Sequence, residues 1–107
     1  MFLVNVPTPQ PVQKVDIPVV KDLKAAKALL EKRGWIQRQT QTKDGFCVIG
    51  VICLPTNNNY DEMITIFEMA NNIKKGKIAN WNDRWWRTKK SVLRAFDKAI
   101  RYAQIKL

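Results

Sequence analysis

The C-terminal segment, residues 88–107, has the sequence TKKSVLRAFDKAIRYAQIKL. Its apolar side chains recur every three or four positions, which is the spacing of one face of an α-helix. These apolar positions are Val92, Leu93, Phe96, Ala99, Ile100 and Ala103. The cations on the opposite side are Lys90, Arg94, Lys98 and Arg101. The pattern predicts an amphipathic helix that begins near Thr88 and packs its apolar stripe into a core.

A second helix is predicted upstream, from Asp22 to about Arg33. Aspartate is a favoured N-cap, and Gly34 is placed where helices commonly stop, since glycine readily adopts the left-handed conformation of that position. The apolar stripe of this helix consists of Leu23, Ala26 and Leu30. On its other side, Lys27 and Glu31 are four residues apart and are expected to pair weakly.

A third helix is predicted from Tyr60 to about Lys75. Asn59 precedes it as a cap, and Gly76 follows it as a stop. Its apolar stripe consists of Met63, Ile66, Phe67, Ala70 and Ile73. Lys74 and Lys75 fall in its last turn, where positive charge suits the negative end of the helix dipole.

Residues 35–54 carry the signals of a β-hairpin. Extended runs lie on both sides of Asp44 and Gly45, a dipeptide typical of tight hairpin turns. The second strand is predicted over Phe46–Leu54 and is expected to be buried. Because Cys47–Leu54 is apolar on both faces, a short helix in this place is an alternative.

Residues 1–20 differ from the rest of the chain because four of its five prolines lie there. Proline interrupts helices, so this stretch is predicted to be an extended arm that contacts its own domain or another chain. Residues 21–107 are predicted to form a single compact α+β domain. It is expected to contain about three amphipathic helices packed on a small β-hairpin or sheet, with a polar turn at residues 80–84.

The composition offers few groups for catalysis. The chain of 107 residues has no histidine, which removes the commonest general base and a common metal ligand. It has a single serine, Ser91, and no glycine-rich phosphate loop. We therefore expect a protein without catalytic residues, cofactor or metal site.

Cysteine usage and hydropathy bear on the cellular compartment. Cys47 and Cys53 are expected to be free, buried thiols, because a strand would hold them roughly 20 Å apart. The apolar run Val48–Leu54 is far shorter than the roughly 20 residues that span a bilayer, and no apolar signal segment is recognised. A cytoplasmic protein with no membrane partner is the resulting prediction.

Nearly all of the net charge of +10 lies in the last third of the chain. Residues 74–107 hold eleven basic and two acidic residues, whereas residues 1–73 hold eight basic and seven acidic ones. Such polarity indicates a polyanionic partner, such as nucleic acid, or an acidic protein surface. A solvated helix face that serves only solubility is the alternative.

Residues 80–90, with the sequence NWNDRWWRTKK, mix three tryptophans with four cations. Tryptophan stacks on bases and on guanidinium groups, while arginine and lysine bind phosphates, so the mixture is typical of a nucleic-acid surface. The predicted nucleic-acid or partner-binding residues are Arg84, Trp85, Trp86, Arg87, Lys89, Lys90, Arg94, Lys98 and Arg101.

The same segment also has a structural interpretation. The Trp81 side chain is expected to pack in the core, and the Asp83 side chain to cap a helix or hydrogen-bond other backbone groups. Trp85 and Trp86 are adjacent, so at most one of them is expected to be fully buried. A further hypothesis places a small-molecule pocket at Trp35, Gln37, Asn80 and Asn82.

Three segments together resemble a known family. They are RGWIQ at residues 33–37, DGFCVIG at residues 44–50, and WND at residues 81–83 followed by RT at residues 87–88. Their order and spacing are similar to those of a family of small, functionally uncharacterised proteins from bacteria and bacteriophages. The resemblance spans residues 23–103 and implies a bacterial or phage origin. This chain departs from the family by having Val51, Ile52 and Pro55 where alanine-rich, helix-favouring residues are expected.

These observations favour three functions. The first is a small accessory protein that binds nucleic acid through its C-terminal third. The second is a protein-binding phage factor, an inhibitor of a host enzyme or a virion component, that uses the basic surface and forms an oligomer through the arm. The third is an anti-defence protein that binds a small nucleotide.

Overall fold

The computed structural model describes residues 17–53 and 59–106, which contain helices and one small hairpin joined by turns and loops. In chain order, the elements are α1 (Pro18–Arg33), β1 (Gln41–Thr42), β2 (Gly45–Phe46), α2 (Val48–Cys53), α3 (Tyr60–Ala70), α4 (Ile78–Asn82) and α5 (Lys89–Lys106). The predicted α+β class is confirmed. Residues 1–16 of the predicted arm and residues 54–58 lie outside the described residues.

Helix α5 is the predicted C-terminal helix, and it begins within one residue of the predicted start. Its predicted stripe faces α1 and α3, with Val92, Phe96, Ala99 and Ala103 buried. The other two stripe residues, Leu93 and Ile100, are half-buried against the same core. Burial of such side chains stabilises a fold by roughly 25 cal/mol per Å² of apolar surface.

Helix α1 ends at Arg33, as predicted, but it begins at Pro18 rather than at Asp22. Proline is well suited to the first helical position, because its missing N–H has no intrahelical partner there and its φ is already helical. The predicted capping role of Asp22 is therefore wrong. Its carboxylate instead accepts a hydrogen bond from Asn59 Nδ2 at 2.7 Å, which joins α1 to the start of α3.

An ion pair fixes α1 against α5. Lys27 was predicted to pair with Glu31 on its own helix. Its Nζ instead lies 2.8 Å from Asp97 Oδ1, so the ion pair crosses the interface between the two helices. The hydrogen bond to Asp97 is the main cause that raises the pKa of Lys27.

The predicted hairpin is present but short. β1 and β2 pair antiparallel, with Gln41 opposite Phe46 and a two-residue loop between the strands. The segment before β1 lies along β2, because Phe46 N–H donates to the Gly34 carbonyl and Ile36 N–H to the Phe46 carbonyl, each at 3.0 Å. A Cβ atom at Gly45 would collide with the Gly34 carbonyl, so the two backbones meet only because both positions are glycine.

The predicted second strand ends at Phe46, and from Val48 to Cys53 the short helix considered as the alternative is present instead, as α2. An apolar run of this length fits a buried strand and a buried helix equally well, and the helix buries Val48, Val51 and Ile52 on one side. Both cysteines are free, but only Cys47 is buried, and Cys53 is exposed.

Helix α3 starts at Tyr60, as predicted, and Asn59 occupies the N-cap position, but its side chain makes no capping hydrogen bond. The helix ends at Ala70, five residues before the predicted end. Asn72 adopts a left-handed conformation with φ of 55°, which stops the helix. The Ile73 N–H then bonds back to the Glu68 carbonyl at 2.8 Å. The residues after Asn72 therefore form a loop, and Gly76 lies inside it.

Residues 80–84 do not form the simple polar turn that was predicted. Residues 78–82 form the short helix α4, which is anchored by the buried side chains of Ile78 and Asn82. Within the described parts of the chain, no helix is both long and apolar enough to cross a bilayer.

Candidate functional site

Asn82, at the end of α4, is the centre of a buried hydrogen-bond cluster. Its Oδ1 accepts from Trp35 Nε1 at 2.7 Å and from the Val48 N–H at 3.1 Å. Its Nδ2 donates to the Ile36 carbonyl at 3.2 Å and to Asp83 Oδ1 at 3.0 Å. Only 1% of Asn82 is exposed, so these bonds replace the water that a buried amide requires. We call this set the Asn82 cluster.

Three further hydrogen bonds join the segment at residues 35–38 to the residues around Asn82. Gln37 Nε2 donates to the carbonyls of Asn82 and Arg84, at 3.0 and 2.7 Å. The Arg38 N–H donates to Asp83 Oδ1 at 2.8 Å. The GWxQ and WND motifs are thus bonded directly to each other, and Asp83 braces backbone and side-chain groups.

The residues predicted to line a small-molecule pocket are only partly brought together. Trp35, Gln37 and Asn82 meet through direct hydrogen bonds. Asn80, two residues before Asn82, is exposed and lines a cleft described below.

Trp81 is half-buried, and its ring is covered from two directions. Phe67 meets it edge to face at a centroid distance of 5.4 Å. Arg87 stacks on the ring with Cζ 3.8 Å from the centroid, and its Nε donates to the Trp81 carbonyl at 3.0 Å. Burial, followed by the nearby charge of Arg84, lowers the pKa of Arg87. We call this pair the Trp81–Arg87 wall.

Trp85 and Trp86 differ from Trp81 in being exposed, by 84% and 53%. Their rings meet edge to face at 5.7 Å, and the Arg84 guanidinium lies 5.4 Å from the Trp86 ring centroid. Large aromatic side chains that remain this accessible beside arginine are typical of binding surfaces.

Trp86 forms one side of a cleft of about 490 Å³, the first cleft. The cleft lies between the loop that follows α3, helix α4 and the turn after it. Its lining residues are Asn72, Ile73, Lys74, Lys77, Asn80, Trp81, Arg84, Trp86 and Arg87. Four of these residues are cationic and, among the described residues, no carboxylate lines the cleft.

A second cleft, of about 280 Å³, lies on the other side of the Trp81–Arg87 wall. It is lined by Asn71, Trp81, Arg87, Ser91, Arg94, Ala95 and Lys98. The two clefts share Trp81 and Arg87, so they are neighbours separated by a single stacked pair.

The predicted binding residues fall into three groups. Arg84, Trp86 and Arg87 line the first cleft, and Arg94 and Lys98 the second. The remaining residues line neither cleft; they are Trp85, Lys89, Lys90 and Arg101. All four are exposed, and Lys89 Nζ donates to the Glu31 carbonyl at the end of α1.

Lys74 and Lys77 are the functional candidates that the sequence analysis missed. Lys74 was assigned to the last turn of a helix, and both residues instead lie in the region after α3 that lines the first cleft. Asn72 was the available signal, because asparagine tolerates the left-handed conformation that ends a helix. Within residues 17–53 and 59–106, no group of three or more His, Cys, Asp and Glu side chains is arranged to hold a metal ion.

Comparison with known proteins gives one match. No curated protein and no solved structure matches the chain. A family model does match residues 14–102, a range that includes the Asn82 cluster and both clefts and begins inside the predicted arm. The protein therefore belongs to DUF6197, a family of unknown function.

Proposed function

We propose that this protein binds nucleic acid, without catalysing a reaction, through the first cleft and the exposed tryptophans beside it. The observation that carries the proposal is the exposed Trp86 ring at the edge of a cleft lined by four cations and no described carboxylate. Cations supply attraction to phosphate, and an accessible indole supplies a stacking surface for a base.

The charge of the cleft is available to a ligand. Within the described residues, Lys74, Lys77 and Arg84 form no ion pair, in contrast with Lys27, which is paired with Asp97. Cations gathered on one surface without compensating carboxylates raise the local potential and attract polyanions. A solvated helix face needs no cleft, so the concentration of charge around a cavity favours the binding interpretation over solubility alone.

The aromatic part of the site is also available. Trp35 donates its indole N–H to Asn82, and Trp81 is covered by Arg87, whereas more than half of Trp86 is accessible. Arg84 lies over the Trp86 ring and is therefore placed to contact a phosphate attached to a stacked base. Base stacking on an aromatic side chain contributes about 1–3 kcal/mol per base.

The test is titration of the protein with a single-stranded oligonucleotide at rising salt, followed by tryptophan fluorescence. We expect quenching at low salt and a log affinity that falls linearly with log salt, by about 0.7 for each neutralised phosphate. A Lys74→Ala/Lys77→Ala variant should show a shallower slope. Lys21→Ala/Lys106→Ala removes the same charge from exposed sites that line neither cleft, and it should bind as the parent does.

Absence of binding at low salt, or an affinity indifferent to salt, refutes the proposal. The titration also separates nucleic acid from the acidic protein partner considered above. If the surface instead serves an acidic protein, the oligonucleotide is held by charge alone, so Trp86→Ala should leave the oligonucleotide affinity nearly unchanged.

The size of the first cleft favours a small nucleotide as the second candidate ligand. A volume of about 490 Å³ lies within the roughly 300–1,000 Å³ typical of small-molecule sites. A nucleotide at 100 times its Kd stabilises a fold by about 2.7 kcal/mol, so a thermal-shift panel of nucleotides decides this candidate. If a mononucleotide binds as tightly as an oligonucleotide, a small nucleotide is favoured over nucleic acid as the ligand.

The proposal also covers the origin of the protein and the cellular compartment in which it acts. We propose an accessory protein of bacterial or phage origin that acts in the bacterial cytoplasm. The motif resemblance supports the origin, and the free thiols of Cys47 and Cys53 suit a reducing compartment.

A further inference from the structure

We infer that the ligand is a single strand that runs from the first cleft, across the Trp81–Arg87 wall, into the second cleft. This inference rests on the proposed function and adds the class of nucleic acid and its path. The first cleft holds an unstacked base, and the second holds the phosphates of the next part of the strand.

The shared wall makes the path continuous. Trp81 and Arg87 line both clefts, so a chain that leaves one cleft over this pair enters the other. Cations lie on each side of the wall, with Lys74 and Lys77 in the first cleft and Arg94 and Lys98 in the second. A strand on this path therefore meets positive charge along its length.

Arg87 is suited to hold the strand at the crossing point. Its Nε is committed to the Trp81 carbonyl, and its guanidinium plane rests on the indole ring. A guanidinium carries five N–H donors, and within the described residues the four on its terminal nitrogens have no hydrogen-bond partner. A side chain fixed by stacking and by one hydrogen bond loses little further freedom when it binds a phosphate.

The two clefts differ in chemistry. The first contains the exposed face of Trp86, on which a base can stack. The second contains no exposed ring, Asn71 Nδ2 donates to two carbonyls, and Ser91 Oγ donates to the Thr88 carbonyl. Beyond Arg87 of the shared wall, Arg94 and Lys98 supply its positive charge, which attracts the phosphates of a strand.

The exposed ring also selects single strands over duplexes. Bases in a duplex are stacked on one another, so their faces are closed to a protein side chain. Trp86 and the cleft behind it can be occupied only by a base that has left such a stack. A duplex still meets the cations, and its binding is then electrostatic alone.

The experiment compares ligands of two lengths on three proteins. The ligands are adenosine monophosphate and single strands of about eight nucleotides, as RNA and as DNA, a length within the roughly 4–16 nucleotides bound by other single-strand modules. The proteins are the parent, Arg94→Ala/Lys98→Ala and the charge-matched control Lys21→Ala/Lys106→Ala. Circular dichroism verifies that each variant is folded, and the RNA and DNA arms identify the sugar.

For the parent and the control, we expect tighter binding of the octanucleotide than of the mononucleotide. Loss of Arg94 and Lys98 should leave mononucleotide affinity unchanged, remove most of the gain from length, and reduce the salt slope by about 1.4, which is two contacts at roughly 0.7 each. If the octanucleotide binds Arg94→Ala/Lys98→Ala with the affinity and the salt slope of the parent, the strand does not run into the second cleft and the inference is overturned. A matched duplex that binds as tightly as the single strand overturns the strand preference, while failure of every nucleic acid to bind overturns the proposed function itself.

Discussion

The four tryptophans of this chain divide into two pairs with opposite surroundings. Trp35 and Trp81 are half-buried and committed to partners, one to the carbonyl oxygen of the Asn82 side chain and the other to Phe67 and Arg87. Trp85 and Trp86 lie only a few residues further on and expose 84% and 53% of their surface. Residue type therefore does not assign the role of a tryptophan, whereas the occupation of its N–H and ring faces does.

The asparagines of α4 repeat the contrast on a smaller scale. Asn82 is buried and uses both its oxygen and its nitrogen in the Asn82 cluster, whereas Asn80 is exposed and lines the first cleft. Buried polar groups that satisfy one another hold the segments in place, and their exposed neighbours are left to meet a ligand.

The largest expected effect is on stability, from Asn82→Ala. The change leaves Trp35 Nε1, the Val48 N–H and the Ile36 carbonyl without their partner in a buried site. Because each orphaned group costs about 1–3 kcal/mol, we expect the free energy of unfolding to fall by about 3 kcal/mol or more. Urea denaturation measures it. The matched variant Asn80→Ala should remain within about 0.5 kcal/mol of the parent, and equal losses in the two variants would contradict the contrast.

The second effect is on binding, from Trp86→Ala. Loss of the stacking ring should weaken oligonucleotide affinity by about 1–3 kcal/mol, or roughly 5- to 150-fold. Since the ring is more than half exposed, stability should change by less than about 0.5 kcal/mol. Trp85→Ala is the control, because Trp85 lines neither cleft and should cost less affinity. A greater loss for Trp85 would move the stacking position to that residue.

Arg87→Met tests a residue that both stabilises the fold, through Trp81, and is proposed to bind the ligand. It removes the cation over Trp81 and the bond to the Trp81 carbonyl, which together should cost about 1–2 kcal/mol of stability. It should also weaken oligonucleotide binding. Arg84→Met removes a cation that stacks only on an exposed ring, so denaturation should detect little change there, and affinity alone should fall. A stability loss as large for Arg84 as for Arg87 would break the distinction.

The smallest effect concerns the paired cation Lys27. Its raised folded pKa means that the ion pair stabilises the protein below the ordinary lysine pKa of 10.5, and that this contribution is lost as the pH rises through the folded pKa. Lys27→Met should lose about 0.5 kcal/mol at neutral pH, as is typical of partly exposed pairs. Denaturation across pH in a double-mutant cycle with Asp97→Asn measures the coupling. A coupling that grows above pH 10.5 would contradict this assignment.

Elements defined by local pattern could be predicted from the sequence. The period of the apolar residues located α5, and the positions of Gly34 and Asn59 located the end of α1 and the start of α3. Helix α2 could not be separated from a strand, because an apolar run of six residues has no distinguishing period. Its conformation depends on tertiary contacts, including the bond from the Val48 N–H to Asn82.

The candidate site was predicted only in part for the same reason. The tryptophans and arginines of residues 84–87 stand out in composition, but Lys74 and Lys77 reach the cleft only because Asn72 ends α3 early. Gln37 holds the backbone of Asn82 and Arg84, next to the exposed Trp85 and Trp86, from a separation of more than forty residues. No local sequence rule carries information over that distance.

The Asn82 cluster has a consequence for folding. Together with the contacts of Gln37 and Arg38, its bonds join residues 35–38 to residues 82–84 and close a loop of more than forty residues, whose entropy must be lost before the contacts form. Helix α4 has only five residues and is too short to persist alone in water. We therefore expect the surface around Trp85 and Trp86 to acquire its shape late, when residues 35–38 and 82–84 have docked, and to be lost when they separate. The hydrogen-bonded amides of Trp81 and Asp83 should accordingly exchange only on global unfolding, and a ligand bound at residues 84–87 should protect the entire fold against exchange.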